Sequence, residues 1–172
     1  KRVWRQQAAV AVRQTARQRG GIEAEFGGFL QSRLGLRDLA DLARQVGGER
    51  VEVFDLVGEG GNPHRFEPRP ADMKRMQSSA IVLASGKGLE PYLDRLKSAL
   101  QGVTIIEVGR TIPSLTVGKD AVYTCCPSHG AGSLDPHWWQ GVDNMRRAAR
   151  VVAQALAEKD PAGKDFYQGN AN

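Results

Sequence analysis

Cysteine is nearly absent from this sequence: 172 residues hold only two, and they are neighbours, Cys125 and Cys126. A disulfide framework is thereby excluded, and the redox compartment stays open. Aromatic residues make up only 6%. No uninterrupted apolar run approaches the roughly 18 residues that a membrane-spanning helix requires, so no transmembrane segment can be read. The Arg-rich start has a single apolar patch, Ala8 to Val12, too short and interrupted for a secretory hydrophobic region, and no signal peptide is legible. Several enzyme fingerprints are missing as well. Gly58-Glu59-Gly60-Gly61 lacks the glycine spacing of a dinucleotide site. Ser85-Gly86-Lys87-Gly88 lacks the upstream glycine and the Ser or Thr of a P-loop, and no Gly-x-Ser-x-Gly occurs.

What is there is the composition of a folded domain. Hydrophobic residues make up 41% and charged residues 25%, enough for a core and too mixed for disorder. The length fits one ordinary domain. A formal charge of +5 would ordinarily point to nucleic acid or an anionic surface. Its distribution argues otherwise. Residues 1–19 hold Lys1, Arg2, Arg5, Arg13, Arg17 and Arg19 with no acid, leaving 18 bases against 19 acids in the other 153 residues. The basicity belongs to one end, and no nucleic-acid partner is expected.

Residues 1–35 mix Gln, Arg, Ala and Gly without a sustained period, and regularity begins at Leu36. Apolar spacings of three and four predict an amphipathic helix over 36–46, stopped by Gly47-Gly48. Val51, Val53, Phe54, Leu56 and Val57 predict a strand that ends in a Gly-rich loop delivering His64. Pro68 and Pro70 open a short helix over 71–77, and Ala80 to Ala84 reads as a buried strand. After the turn at Ser85 to Gly88, Leu93, Leu96 and Leu100 form one stripe of a third helix. Val103 to Val108 reads as the next strand, and Ala121 to Tyr123 as a short strand or extended segment. Asp135-Pro136 reads as the N-cap and first-turn proline of a long helix over 138–159, interrupted by Asp160-Pro161. This alternation predicts an α/β fold: an open parallel sheet flanked by helices, followed by a long backbone helix. Ligands of such sheets bind beyond the carboxyl ends of the strands, where His64 falls.

Two of the three histidines, His64 and His137, stand in similar contexts, Asn-Pro-His and Asp-Pro-His. Proline restricts the approach to each ring, and neutral imidazole is a common ligand for zinc and other transition metals. Two histidines do not close a site, and capping or surface residues explain them as well. Cys125, Cys126 and His129 precede His137 in one loop, a zinc-type set whose spacing matches no standard finger. Small buried residues at a strand end are the better account of the cysteines. Trp138-Trp139 can stack a base or sugar, or serve as core or as a lid over the site edge.

The order of four motifs, Leu39 to Gly48, Gly60-Gly-Asn-Pro-His64-Arg-Phe-Glu-Pro-Arg-Pro-Ala-Asp72, Gly88-Leu-Glu-Pro-Tyr-Leu-Asp94 and Asp135-Pro-His137-Trp138, resembles the zinc and manganese solute-binding proteins of ABC importers. The resemblance covers about residues 36–172. It implies one lobe of a two-lobe solute-binding fold, with a metal-binding amino-terminal lobe over 36–135 and a long linking helix over 136–172. His64 and His137 match the family's two amino-lobe metal ligands, with Asp135 and Glu67 as groups that fix ligands or loops. The loop from Cys125 to Ser133 matches the place of a metal-capture arm. The implied cargo is Zn2+, or alternatively Mn2+, delivered to an ABC importer permease from the periplasm or another extracytoplasmic site by a protein acting as a monomer. Glu59 and Glu90, on the strand-end edge, are expected to meet the permease. No catalytic residue and no enzyme activity are implied.

Residues 1–35 depart from the family pattern, with no β-branched run over 20–35 where a first strand belongs, so the sheet is expected to lack a strand. This basic segment is expected to lie outside the family fold, as a shifted reading frame or gene boundary would produce. The further ligands, a histidine and a carboxylate in the zinc-binding branch, are expected beyond the chain's last residue. A competing reading is a small zinc-dependent hydrolase using His64, His137 and Cys125 or His129, with Glu67 as general base. A third is an adhesin or an inert fragment without metal.

Overall fold

The computed structural model describes residues 10–14, 39–57, 61–119 and 130–172. Its elements follow in chain order as β1 (Val10–Gln14), α1 (Leu39–Gly47), β2 (Val51–Asp55), α2 (Pro70–Gln77), β3 (Ile81–Ala84), α3 (Leu93–Ala99), β4 (Thr104–Glu107), α4 (Val142–Lys159) and α5 (Lys164–Asn170). The expected strand at 121–123, together with Cys125, Cys126, His129 and Glu59, lies outside the described residues.

The four strands form one sheet in the order β2-β1-β3-β4. β3 and β4 are parallel, in register from Ile81 opposite Thr104 to Ala84 opposite Glu107. β1 runs antiparallel to both its neighbours, with Val10 opposite Asp55 on one side and Leu83 on the other. The sheet is therefore mixed, where an all-parallel one is expected from the strand and helix alternation. It also has a strand in the place expected to be empty. The apolar patch too short for a signal region is long enough for a strand, which needs only about five residues.

Helices cover both faces. Val10, Val12, Ile81 and Leu83 join Leu39, Leu42 and Val46 of α1, Val152 and Leu156 of α4 and Tyr167 of α5 in one core layer. Ala11 and Val82 point the other way, into a second layer with Met76 of α2 and Leu96 of α3. β3 is 0% exposed at all four positions, so its continuous apolar run is that of a strand buried on both faces. This is a three-layer α/β lobe with a long helix, in which α1, α2 and α3 lie within three residues of their sequence positions and α4 departs at its start.

The exception is the start of α4, which opens at Val142 and not at Trp138. Trp138–Gln140 form a separate 3-10 turn, and Gly141 is extended. The Asn144 amide donates to Trp138 O at 2.9 Å and Pro113 O at 3.2 Å. The Asp135 carboxylate, expected to cap the helix, is committed to His137. At the other end the Asp160 N–H donates to Leu156 O at 2.8 Å before Pro161 stops the helix.

Candidate metal centre

Because β1 is antiparallel to both β2 and β3, these two run the same way, and β4 runs with them. The segments leaving β2, β3 and β4 therefore emerge from one edge of the sheet, where open α/β folds bind ligands. His64 arrives there on the 3-10 turn Pro63–Arg65. The Asn62 side chain accepts the His64 backbone N–H at 2.9 Å, an Asx turn that fixes how the loop enters. His64 is partly exposed.

His137 is held more firmly. Its Nδ1 lies 2.6 Å from Asp135 Oδ1, and the same oxygen accepts the His137 backbone N–H at 2.9 Å. The ring side chain is 11% exposed and that of Asp135 16%. With Nδ1–H donating to the carboxylate, the imidazole lone pair is on Nε2, the tautomer and orientation that carboxylate–histidine–metal arrangements use. The ring also meets Trp139 edge-on at 5.2 Å between centroids. Asp135 and His137 line a cleft of about 440 Å³ with Ser114, Leu115, Gln140 and Asn144. His64 is not among the residues lining it. Among the described residues no three His, Cys, Asp or Glu side chains converge to hold a metal ion. What these residues offer is one imidazole oriented by a carboxylate, with His64 on the loop that follows β2.

Glu67, three residues after His64, is exposed. It lines a separate depression of about 260 Å³ between α2 and α3, with Met73, Tyr92 and Arg95. Trp138 is 3% exposed and belongs to the core. Its indole N–H donates to Ser85 O at 3.2 Å and Ser85 Oγ at 3.1 Å.

Glu90 is the main correction. Expected on the surface facing a permease, it is 3% exposed. Its Oε1 accepts the Ser85 N–H at 2.6 Å and its Oε2 accepts the Gly86 N–H at 2.9 Å. Burial pushes its pKa up to about 7, against the backbone N–H groups of Ser85, Gly86 and Glu90 itself that favour the charged form, and the nearby Glu107 carboxylate adds to the rise. The signal in the sequence was its apolar setting, between Leu89 and Tyr92 just after a fully apolar strand. Gly109 was also missed. A Cβ there would lie 2.2 Å from Trp138 Nε1 and 2.5 Å from Ser85 O, so only glycine lets the indole seat.

The fold is a three-layer α/β lobe, and comparison with known proteins gives its family. Residues 36–172 match the family described as ZnuA, zinc-uptake complex component A, periplasmic. The chain is 33% identical over 133 residues to the manganese-binding lipoprotein MntA of Halalkalibacterium halodurans, covering 77% of this chain and 41% of that protein. A Mn-bound periplasmic metal-binding protein from Candidatus Liberibacter asiaticus superposes with a TM-score of 0.65 at 25% identity, covering 77% of this chain and 46% of that one. A zinc-bound deletion mutant of ZnuA does so with a TM-score of 0.65 at 28% identity, covering 76% and 46%. The chain belongs to this family of metal solute-binding proteins. It spans less than half the length of the relatives it matches. Strand β1 lies outside the matched residues.

Proposed function

We propose that this chain supplies the amino-terminal, metal-capturing half of an extracytoplasmic binding protein that delivers a divalent transition metal to an ABC importer. The carrying observation is the His137 imidazole, held through Nδ1 by Asp135 so that Nε2 is presented for coordination. His64, on the same edge, is the second ligand, and residues of the longer relatives' remaining length complete the set. Zinc is the proposed cargo and manganese the alternative, because neutral imidazoles suit zinc while manganese favours more oxygen ligands. Relatives named for each metal support the class of cargo. The role is binding and release, with no bond made or broken, and relatives named as metal-binding proteins weigh against the hydrolase reading.

The double substitution His64→Ala and His137→Ala tests this. Titration calorimetry with ZnCl2, and in parallel MnCl2, is expected to show uptake by the unaltered chain and none by the double variant. Unchanged uptake by the variant would overturn the assignment. Tighter retention of manganese than zinc would reverse the proposed preference.

A further inference from the structure

Glu90 is a buried charge for which metal capture by the two histidines has no direct use, and its contacts lead to one of them. Its carboxylate closes a turn in which three successive residues, Gly86, Lys87 and Gly88, have φ values of +80°, +56° and +75°. Lys87 is a non-glycine residue in the left-handed region, a conformation that persists only where the surroundings impose it. The imposing contacts are the Ser85 and Gly86 N–H groups, both donating to the one carboxylate. A carboxylate supplies two acceptor oxygens, whereas an amide of the same shape supplies one and turns an NH2 against the other N–H.

The turn in turn seats Trp138. Ser85 O accepts both the Gly109 N–H, at 2.9 Å, and the Trp138 indole N–H, while Ser85 Oγ accepts the indole as well. Trp138 is the residue after His137, and Asn144 holds its carbonyl. The edge-on contact of Trp139 with both rings, at 5.2 Å to His137 and 5.7 Å to Trp138, ties them together. Asp135 thus fixes the ring of His137, and the Trp138 anchor fixes the backbone that carries it.

We infer that Glu90 is a positioning residue for His137, acting through the Ser85–Gly86 turn and the Trp138 indole. The inference rests on the reading of His137 as a metal ligand, but the link from Glu90 to Trp138 is measurable without metal. It assigns a role within the site to a residue that touches neither histidine in the described contacts.

The test uses the 172-residue chain at pH 8, with Glu90→Gln, Trp138→Phe, the double variant and Ser85→Ala. Trp138→Phe identifies the indole N–H resonance of Trp138 in the 1H–15N spectrum. In Glu90→Gln that resonance is expected to shift and to lose at least about tenfold in exchange protection, with far-UV circular dichroism unchanged. Zinc affinity, read by competition with a chromophoric chelator, is expected to fall about tenfold, the scale seen when groups supporting a metal ligand are removed. Trp138→Phe is expected to lower it similarly, and the double variant no further, because both act through one chain of contacts. Ser85→Ala, which removes one indole acceptor and leaves the carboxylate, is expected to give a smaller loss of the same kind. An unmoved indole resonance in Glu90→Gln, or additive losses in the double variant, would overturn the inference. A Glu90→Gln chain that no longer folds, beside a folded Ser85→Ala chain with unchanged affinity, would also overturn it, since Glu90 would then support the whole lobe. Absence of zinc and manganese uptake by the unaltered chain would overturn the metal reading, while the indole resonance would still decide whether Glu90 positions Trp138.

Discussion

At the scale of single residues, the site depends on which carboxylate faces which group. Asp135 Oδ1 accepts from both the His137 ring and its backbone N–H, so Asp135→Asn keeps the shape but weakens the ring's orientation. Zinc affinity is expected to drop by roughly 10- to 100-fold in that variant, measured by chelator competition. Glu90 has the opposite electrostatic setting. Its pKa is raised from an ordinary 4.5 to about 7, chiefly by burial, so between those values the folded chain retains a proton that the unfolded chain has released. Stability contributed by this group is full below about pH 4.5, falls as pH rises towards 7 and levels off above it, a change on the order of 3 kcal/mol. Urea unfolding at pH 5 and pH 8 checks this: the unaltered chain should lose stability across the window through this group, and Glu90→Gln should lose less. His64 and His137 were legible as candidates because each follows a proline at the end of a loop. Glu90's burial was signalled only by its apolar neighbours Leu89 and Tyr92, because a charged side chain after a turn usually faces water unless N–H groups, here those of Ser85 and Gly86, donate to it.

At the scale of elements, local patterns were enough wherever a periodic face determined the conformation. The stripes of α1 and α3 and the apolar run of β3 are examples. They failed at two places. The start of α4 followed the Asp-Pro signal only in outline, because Asp135 is engaged by His137 and Gly141 interrupts the helix before Val142. The central strand came from Val10–Gln14, a stretch without turn or strand punctuation that gains its conformation from pairing on both sides. Val12 is 1% exposed in that strand and packs in the layer shared with α1 and α4. Val12→Asp places an unpaired charge there, at a cost of several kcal/mol. The expected result is loss of the cooperative thermal transition in circular dichroism, whereas Arg13→Ala, at an exposed position of the same strand, should leave it nearly unchanged.

At the scale of the whole molecule, contacts distant in sequence hold the last helix against the lobe. Asp160 Oδ2 accepts from Arg50 Nε at 2.9 Å and from Tyr167 OH at 2.8 Å, and Asn170 donates to Val46 O at 3.1 Å. Burial alone would raise the Asp160 pKa, but the hydrogen bonds from Arg50 and Tyr167 outweigh it and hold the carboxyl below its usual range. The stability this group contributes is present above the ordinary Asp value and is lost as pH falls through the lowered one. Tyr167→Phe removes one of these bonds, and a loss of about 1 kcal/mol is expected in urea unfolding at pH 7. By itself the sequence determined the alternation of strands and helices, the placing of His64 and His137 after strands or prolines, and the absence of nucleotide and hydrolase fingerprints, because each is a property of neighbouring residues. Only the tertiary structure decided the strand order, the antiparallel centre of the sheet and the environments of Asp135 and Glu90. Those depend on groups such as Trp138 and Ser85, 53 residues apart, and Arg50 and Asp160, 110 apart, whose meeting no local pattern encodes.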